Sequence, residues 1–237
     1  ASGAVSNTAV GYASCTGSST ASTNAADNNT CLGYGAGFSL TTGADNTLTG
    51  YASGQNLTSA AQNTAYGALT LGGNTSTAVT GVGNLTIGWG AAKAITSGAS
   101  NSVGGGINAG FSLTTGSRNT CWGYTCLGGV ATGDANVSLG YFAGRWETGS
   151  NAFYVNNIDQ SNTANDKAFS LMYGTFGGVA GSIAGNALTI NASTTLSATT
   201  TVATGAAYVG QSVCYAAGGR LGHQTAAELT AGTCNAN

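Results

Sequence analysis

The sequence predicts an all-β fold, a parallel β-solenoid (β-roll) with about eight coils of roughly 17 residues. Three observations carry that reading. The 237 residues include 40 Gly and no Pro, and Val, Ile, Leu and Phe together number only 39, too few to fill a conventional core. Asn recurs at Asn7, Asn29, Asn46, Asn63, Asn84, Asn101, Asn119 and Asn136, with 17 as the commonest step. Gly stands four residues after each, at Gly11, Gly33, Gly50, Gly67, Gly88, Gly105, Gly123 and Gly140. Stacked repeats can bury small side chains that no isolated unit could bury. Helical repeats are excluded: they are longer, and Gly and Thr cost roughly 0.5–1 kcal/mol each inside a helix.

Within residues 1–150, expected to form the solenoid, each coil supplies a short strand and tight turns that need positive φ. Equivalent residues of successive coils then lie about 4.8 Å apart, so eight coils give a rod of roughly 40 Å. An amide both donates and accepts, so stacked Asn side chains can bond up and down the column without a second residue type. The residue after the turn Gly is aromatic in six coils, Tyr12, Tyr34, Tyr51, Trp89, Tyr124 and Tyr141, with Ala68 and Gly106 as exceptions. Rows of stacked rings follow from that register. The absence of Pro leaves every coil free to donate its backbone N–H groups. The longer steps after Asn7 and Asn63 read as loops leaving one edge of the rod.

Asn151 keeps the register, but Val155 stands where Gly is expected, so the solenoid is predicted to end there. Residues 151–191 read as a β-rich cap or inter-chain block with strands near 153–157, 168–176 and 186–191, separated by polar and flexible loops. Residues 192–205 are low in complexity and read as a linker or edge strand. Residues 206–237 form a C-terminal module.

Six cysteines without a CxxC spacing favour disulfides, and hence an oxidising, extracellular setting, over a zinc site. Cys31 and Cys121 lie two after Asn; Cys15 and Cys126 lie eight and seven after it. If those positions face each other, Cys15 pairs with Cys31 across coils and Cys121 with Cys126 inside one, leaving Cys214 and Cys234 to staple the tail. Buried free thiols are the alternative for some of them.

No catalytic residue, metal site or cofactor is expected. The only histidine, His223, sits in a Gly-rich stretch and has no neighbouring base or acid in the pattern of a triad. Seven acidic residues are few for a glycan-cleaving carboxylate pair. Asp27, Asp45 and Asp134 lie just before repeat asparagines and read as turn caps rather than calcium ligands. Arg145, Glu147, Asp166 and Lys167 read as a solvated edge or an inter-chain ion pair. Five scattered basic residues give no footprint for nucleic acid, and no apolar run is long enough for a transmembrane helix. The start at Ala1, without Met, fits a processed chain and equally a shortened one.

The stretches SNTAVGYAS (6–14), NNTCLGYGAGFSLTTGADNT (28–47) and NVSLGYFAG (136–144) resemble the haemagglutinin-like head repeats of trimeric bacterial surface adhesins. They are similar as well to phage tail-fibre repeats. The resemblance implies a left-handed β-roll with three chains about a common core; the heptad stalk, anchor barrel and fibre chaperone of those families are not in this sequence. The expected function is that of an extracellular or cell-surface structural fibre or filament subunit, self-associating as a homotrimer or end-to-end polymer through solenoid stacking. Adhesion, with surface glycans as partners, is its expected task. A virion-borne receptor-binding fibre is the alternative. Ice binding ranks lower because the Thr positions shift between coils.

Overall fold

The computed structural model describes residues 6–17, 26–72, 78–96, 103–177, 185–191, 212–215 and 221–224. Its contacts divide the chain into two units, Ala1–Ser193 and Thr194–Asn237. In the first unit, eight three-residue strands follow one another: β1 (Thr8–Val10), β2 (Thr30–Leu32), β3 (Thr47–Thr49), β4 (Thr64–Tyr66), β5 (Leu85–Ile87), β6 (Val103–Gly105), β7 (Thr120–Trp122) and β8 (Val137–Leu139). Each runs parallel to its predecessor in strict sequence order. The unit is a parallel β-solenoid of about seven turns with about 17 residues per turn, the predicted fold.

The Asn residues lie in a column and explain the period. The Asn29 side-chain oxygen Oδ1 accepts both the backbone N–H of Asn46 (3.0 Å) and its side-chain Nδ2–H (2.9 Å). Asn46 treats Asn63 the same way, and Asn63 treats Asn84. The remaining amide hydrogens reach backbone carbonyls, as in Asn46 Nδ2 to Ala60 O at 2.9 Å. Each buried amide is therefore satisfied by the next coil, the condition under which a polar column replaces an apolar one. The ladder continues from Asn119 through Asn136, whose Oδ1 accepts the Ala152 N–H. Ala152, not Asn151, thus holds the next rung.

The glycines that follow the strands have φ between +111° and +144°, a region closed to residues with a side chain. They are also contact points: a Cβ on Gly33 would lie 2.6 Å from Gly50 O. Coil six corrects the expected register. Gly105 is a strand residue partnered by Ile87 and Trp122, and Gly106 (φ +118°) makes the turn. The residue after that turn is therefore Ile107 rather than Gly106. Asn101 and the loop residues 18–25 and 73–77 lie outside the described residues.

From β2 onward the middle residue of the strand points inward, so Cys31, Leu48, Ala65, Thr86, Cys121 and Ser138 face a narrow interior, whereas Ala9 of β1 is exposed. Leu40, Leu57, Leu71, Ile95, Leu113, Leu127 and Val130 close it from the turn side. Two disulfides cross this interior: Cys15–Cys31 links adjacent coils and Cys121–Cys126 closes within one. Cys234 lies outside the described residues.

Where the repeat ends, β9 (Ala152–Val155) still pairs parallel with β8, then β10 (Met172–Thr175) and β11 (Ala187–Ile190) add antiparallel strands to the same sheet. Between β9 and β10 lies a short helix, α1 (Thr163–Phe169), where the sequence pattern predicts a loop and the start of a strand. Asn162 caps it, its side chain accepting the Asn165 N–H at 2.9 Å. In the second unit, β12 (Ser212–Tyr215) and β13 (Leu221–Gln224) form an antiparallel pair with Val213 opposite His223. No helix among the described residues is long and apolar enough to cross a membrane.

Candidate functional site

A strand that buries its middle residue turns its first and third residues outward. On this solenoid the third positions are Val10, Leu32, Thr49, Tyr66, Ile87, Gly105, Trp122 and Leu139, and all the large apolar ones are exposed. Beside them runs the row that follows the turn glycines: Tyr12, Tyr34, Tyr51, Trp89, Ile107, Tyr124 and Tyr141, again all exposed, with Tyr12 reaching 75%. Together they make one apolar flank that spans every coil.

The rings in the second row stack as the register demands. Tyr12 on Tyr34, Tyr34 on Tyr51 and Tyr124 on Tyr141 have centroids 5.2–5.5 Å apart and planes within 19° of parallel. Ala68 interrupts the row in coil four. In the strand row, Trp122 lies over its neighbour: a Cβ on Gly105 would meet the indole at 2.1 Å. Gly105 is therefore the floor on which this ring rests. The same outward face of the sheet carries a groove of about 530 Å³ at the cap, where Val137 and Phe153 of the first-position column meet Met172, Phe176 and Leu188.

The first strand positions carry Thr8, Thr30, Thr47 and Thr64 in mutual register, exposed in four consecutive coils. The Thr positions thus hold their place over half the solenoid and then give way to Leu85 and Val103. Only β3 presents Thr on both outward positions.

The charged residues are placed differently from the expected solvated edge. Glu147, with its side chain 4% exposed, accepts the Tyr154 hydroxyl, the Thr148 and Gly149 amides, and pairs with Lys167 at 3.3 Å. Burial alone would push its carboxyl up, but those donors outweigh burial and hold it below the ordinary carboxylate range. Asp166 on α1 is fully buried; burial holds its carboxyl above the ordinary range, although its Oδ2 accepts the Trp146 N–H at 3.0 Å. Burial also drives the Tyr154 phenol far up, so it stays a hydrogen-bond donor. Arg145 and the Trp146 indole both bind Asp159, and the Arg145–Asp159 pair is half-buried. These groups tie the cap to the last coil.

Among the described residues, no group of three or more His, Cys, Asp or Glu is placed to hold a metal ion. Asp134 accepts the Ser117 N–H at 2.6 Å, and Asp45 takes a bond from Asn28 at 3.2 Å. Both are turn contacts between neighbouring coils. The strand-row residues Leu32, Tyr66, Ile87, Trp122 and Leu139 are not among the residues that the repeat motif marks. Their signal is the same period, three residues after the Asn column, but without a shared residue type to mark it. No family model, curated protein or solved structure matches this chain.

Proposed function

We propose that the chain is a structural subunit of an extracellular, cell-surface fibre or filament, with an adhesive role and no catalytic one. The observation that carries this reading is the exposed apolar flank running along the whole parallel sheet and onto the cap. A soluble monomer rarely leaves so long a contiguous apolar stripe in water, whereas a protein that packs on copies of itself needs one. The two disulfides support assembly in an oxidising compartment.

The flank favours side-by-side association, with three copies as the closed arrangement suggested by the repeat motif. End-to-end stacking has less support, because β9 is followed by two antiparallel strands instead of another coil. Sedimentation equilibrium over a range of concentrations, with negative-stain imaging of the same samples, tests the reading. Trimers or longer assemblies are expected, and L32K combined with L139K should return them to monomers with unchanged circular dichroism. Wild-type protein that stays monomeric at every concentration would overturn it.

A further inference from the structure

A second column runs along the turn side, five residues after each turn glycine: Thr16, Phe38, Gln55, Gly72, Lys93, Phe111, Gly128 and Arg145. Phe111 and Arg145 are two coils apart, and Gly128 between them has no side chain. Neither has its neighbour Gly129. Coil spacing puts the two walls of this notch roughly 9–10 Å apart at the backbone. The notch has a volume of about 290 Å³ and is lined by Asn108, Phe111, Ser112, Thr125, Arg145 and Trp146 above its glycine floor.

The Arg145–Trp146 wall is held before anything binds, whereas the Phe111 ring is exposed. Lys93 Nζ lies 5.8 Å from the Phe111 centroid. On the other wall, the Arg145 guanidinium sits 4.5 Å from the Phe142 ring and 4.9 Å from the Trp146 ring, and Asp159 neutralises it. The Trp146 indole N–H donates to Asp159 at 2.8 Å, which holds that ring in place. The Asn108 Oδ1 is buried against Gly90 of the preceding coil and faces away from the notch, whose polar groups are the Ser112 and Thr125 hydroxyls.

Packing keeps both glycines free of a side chain, Gly129 more strictly. A Cβ on Gly129 would lie 2.6 Å from Arg145 O, so the backbone forbids a side chain there. On Gly128 a Cβ would lie 2.7 Å from Thr125 Cγ2 and 3.0 Å from the backbone Thr125 O, so a side chain there is crowded as well. Neither glycine has a left-handed φ.

We infer that the notch is a subsite for one pyranose ring of a neutral glycan. A pyranose offers an apolar C–H face to a ring such as Phe111 or Trp146, and its equatorial hydroxyls reach the Ser112 and Thr125 hydroxyls at the rim. The neutralised arginine selects against an acidic sugar no more than it attracts one, and a wall already held in place keeps the ordering cost low. The inference rests on the adhesive reading above and names the partner that adhesion would use.

Saturation-transfer difference NMR suits the test because it works whatever the size of the assembly. The probes are the methyl pyranosides of glucose, galactose, mannose and N-acetylglucosamine, with N-acetylneuraminic acid as the charged comparison. At least one neutral probe is expected to bind, with a Kd on the order of millimolar for so small a ligand. F111A should weaken it at least tenfold and G128Q, which places in the notch the side chain that Gln55 carries in its own coil, should abolish it. F38A removes the same side chain from the same column elsewhere and should leave binding unchanged. The inference falls if no neutral probe gives a signal, if the charged sugar binds more tightly, if F38A weakens binding as much as F111A, or if a folded G128Q still binds. Such a failure leaves the fibre reading standing, since that one is decided by mass and imaging.

Discussion

The solenoid and its cap satisfy their buried polar groups in opposite ways. In the coils, neutral Asn amides bond to identical amides one coil away, and the same contact repeats from Asn7 to Asn84 and again from Asn119 to Asn136. At the cap no next coil exists, and unique charged residues take over: Glu147 gathers four donors, Asp166 holds the Trp146 amide and Asp159 binds Arg145. A repeating column cannot carry charge, because like charges would face each other every 4.8 Å or so. A terminus has no such restriction. This is why five of the twelve charged residues fall between Arg145 and Lys167.

The contrast can be broken most strongly in the column. N46A removes an amide bonded both to the preceding and the following coil, leaving the Asn63 N–H and Ala60 O without their partner. A loss of about 3 kcal/mol is expected in chemical denaturation. Loss of under about 1 kcal/mol would mean that the amides are incidental to the stack.

At the cap, E147Q should cost about 2 kcal/mol at neutral pH, because Lys167 and the Tyr154 hydroxyl lose their charged acceptor. The pH dependence distinguishes this from the column. The folded-state pKa of Glu147 lies below its ordinary value, so its contribution is complete above the unfolded pKa and disappears as pH falls through the folded one. The gap between wild type and E147Q should therefore close below about pH 4, whereas the gap for N46A should not change. Asp166 works in the opposite direction: its pKa is raised in the folded state, so its burial becomes a burden as pH rises above the ordinary carboxylate value.

The smallest effect sharpens the comparison in coil six, where the middle residue of the strand is glycine. Gly104 borders a cavity of about 20 Å³ beside the buried Thr86 hydroxyl, which has no partner. A Cβ there would meet only Ala109, its Cβ and its backbone O each at 3.8 Å, an ordinary contact. G104A should stabilise the protein by about 1 kcal/mol, read as a rise of about 2–4 °C in Tm. A fall in Tm would show that coil six is already full.

Much of the solenoid was legible because its contacts join residues of one kind at one spacing. Asn29, Asn46 and Asn63 announce their column by recurring, and the half-cystines Cys15 and Cys31 disclose which strand and turn positions face each other. Coil six escaped because residues 104–106 are all glycine, so counting from an Asn cannot say which one turns; the pairing of β6 with β5 and β7 decides it. Helix α1 escaped because seven residues carry no apolar period and its cap, Asn162, looks like any loop asparagine.

What the sequence determined alone is the repeat: its length, the neutral ladder and the two cross-links, all of which follow from like residues meeting like at a fixed interval. Only the tertiary structure decided the rest. The apolar flank exists because strand alternation turns Leu32, Ile87 and Trp122 outward on one side, and the notch exists because Gly128 falls between Phe111 and Arg145 once the coils are stacked. The Glu147 hub likewise forms only where the stacking stops. Such contacts join unlike residues at unrepeated separations, and those are set by the packing of the whole chain.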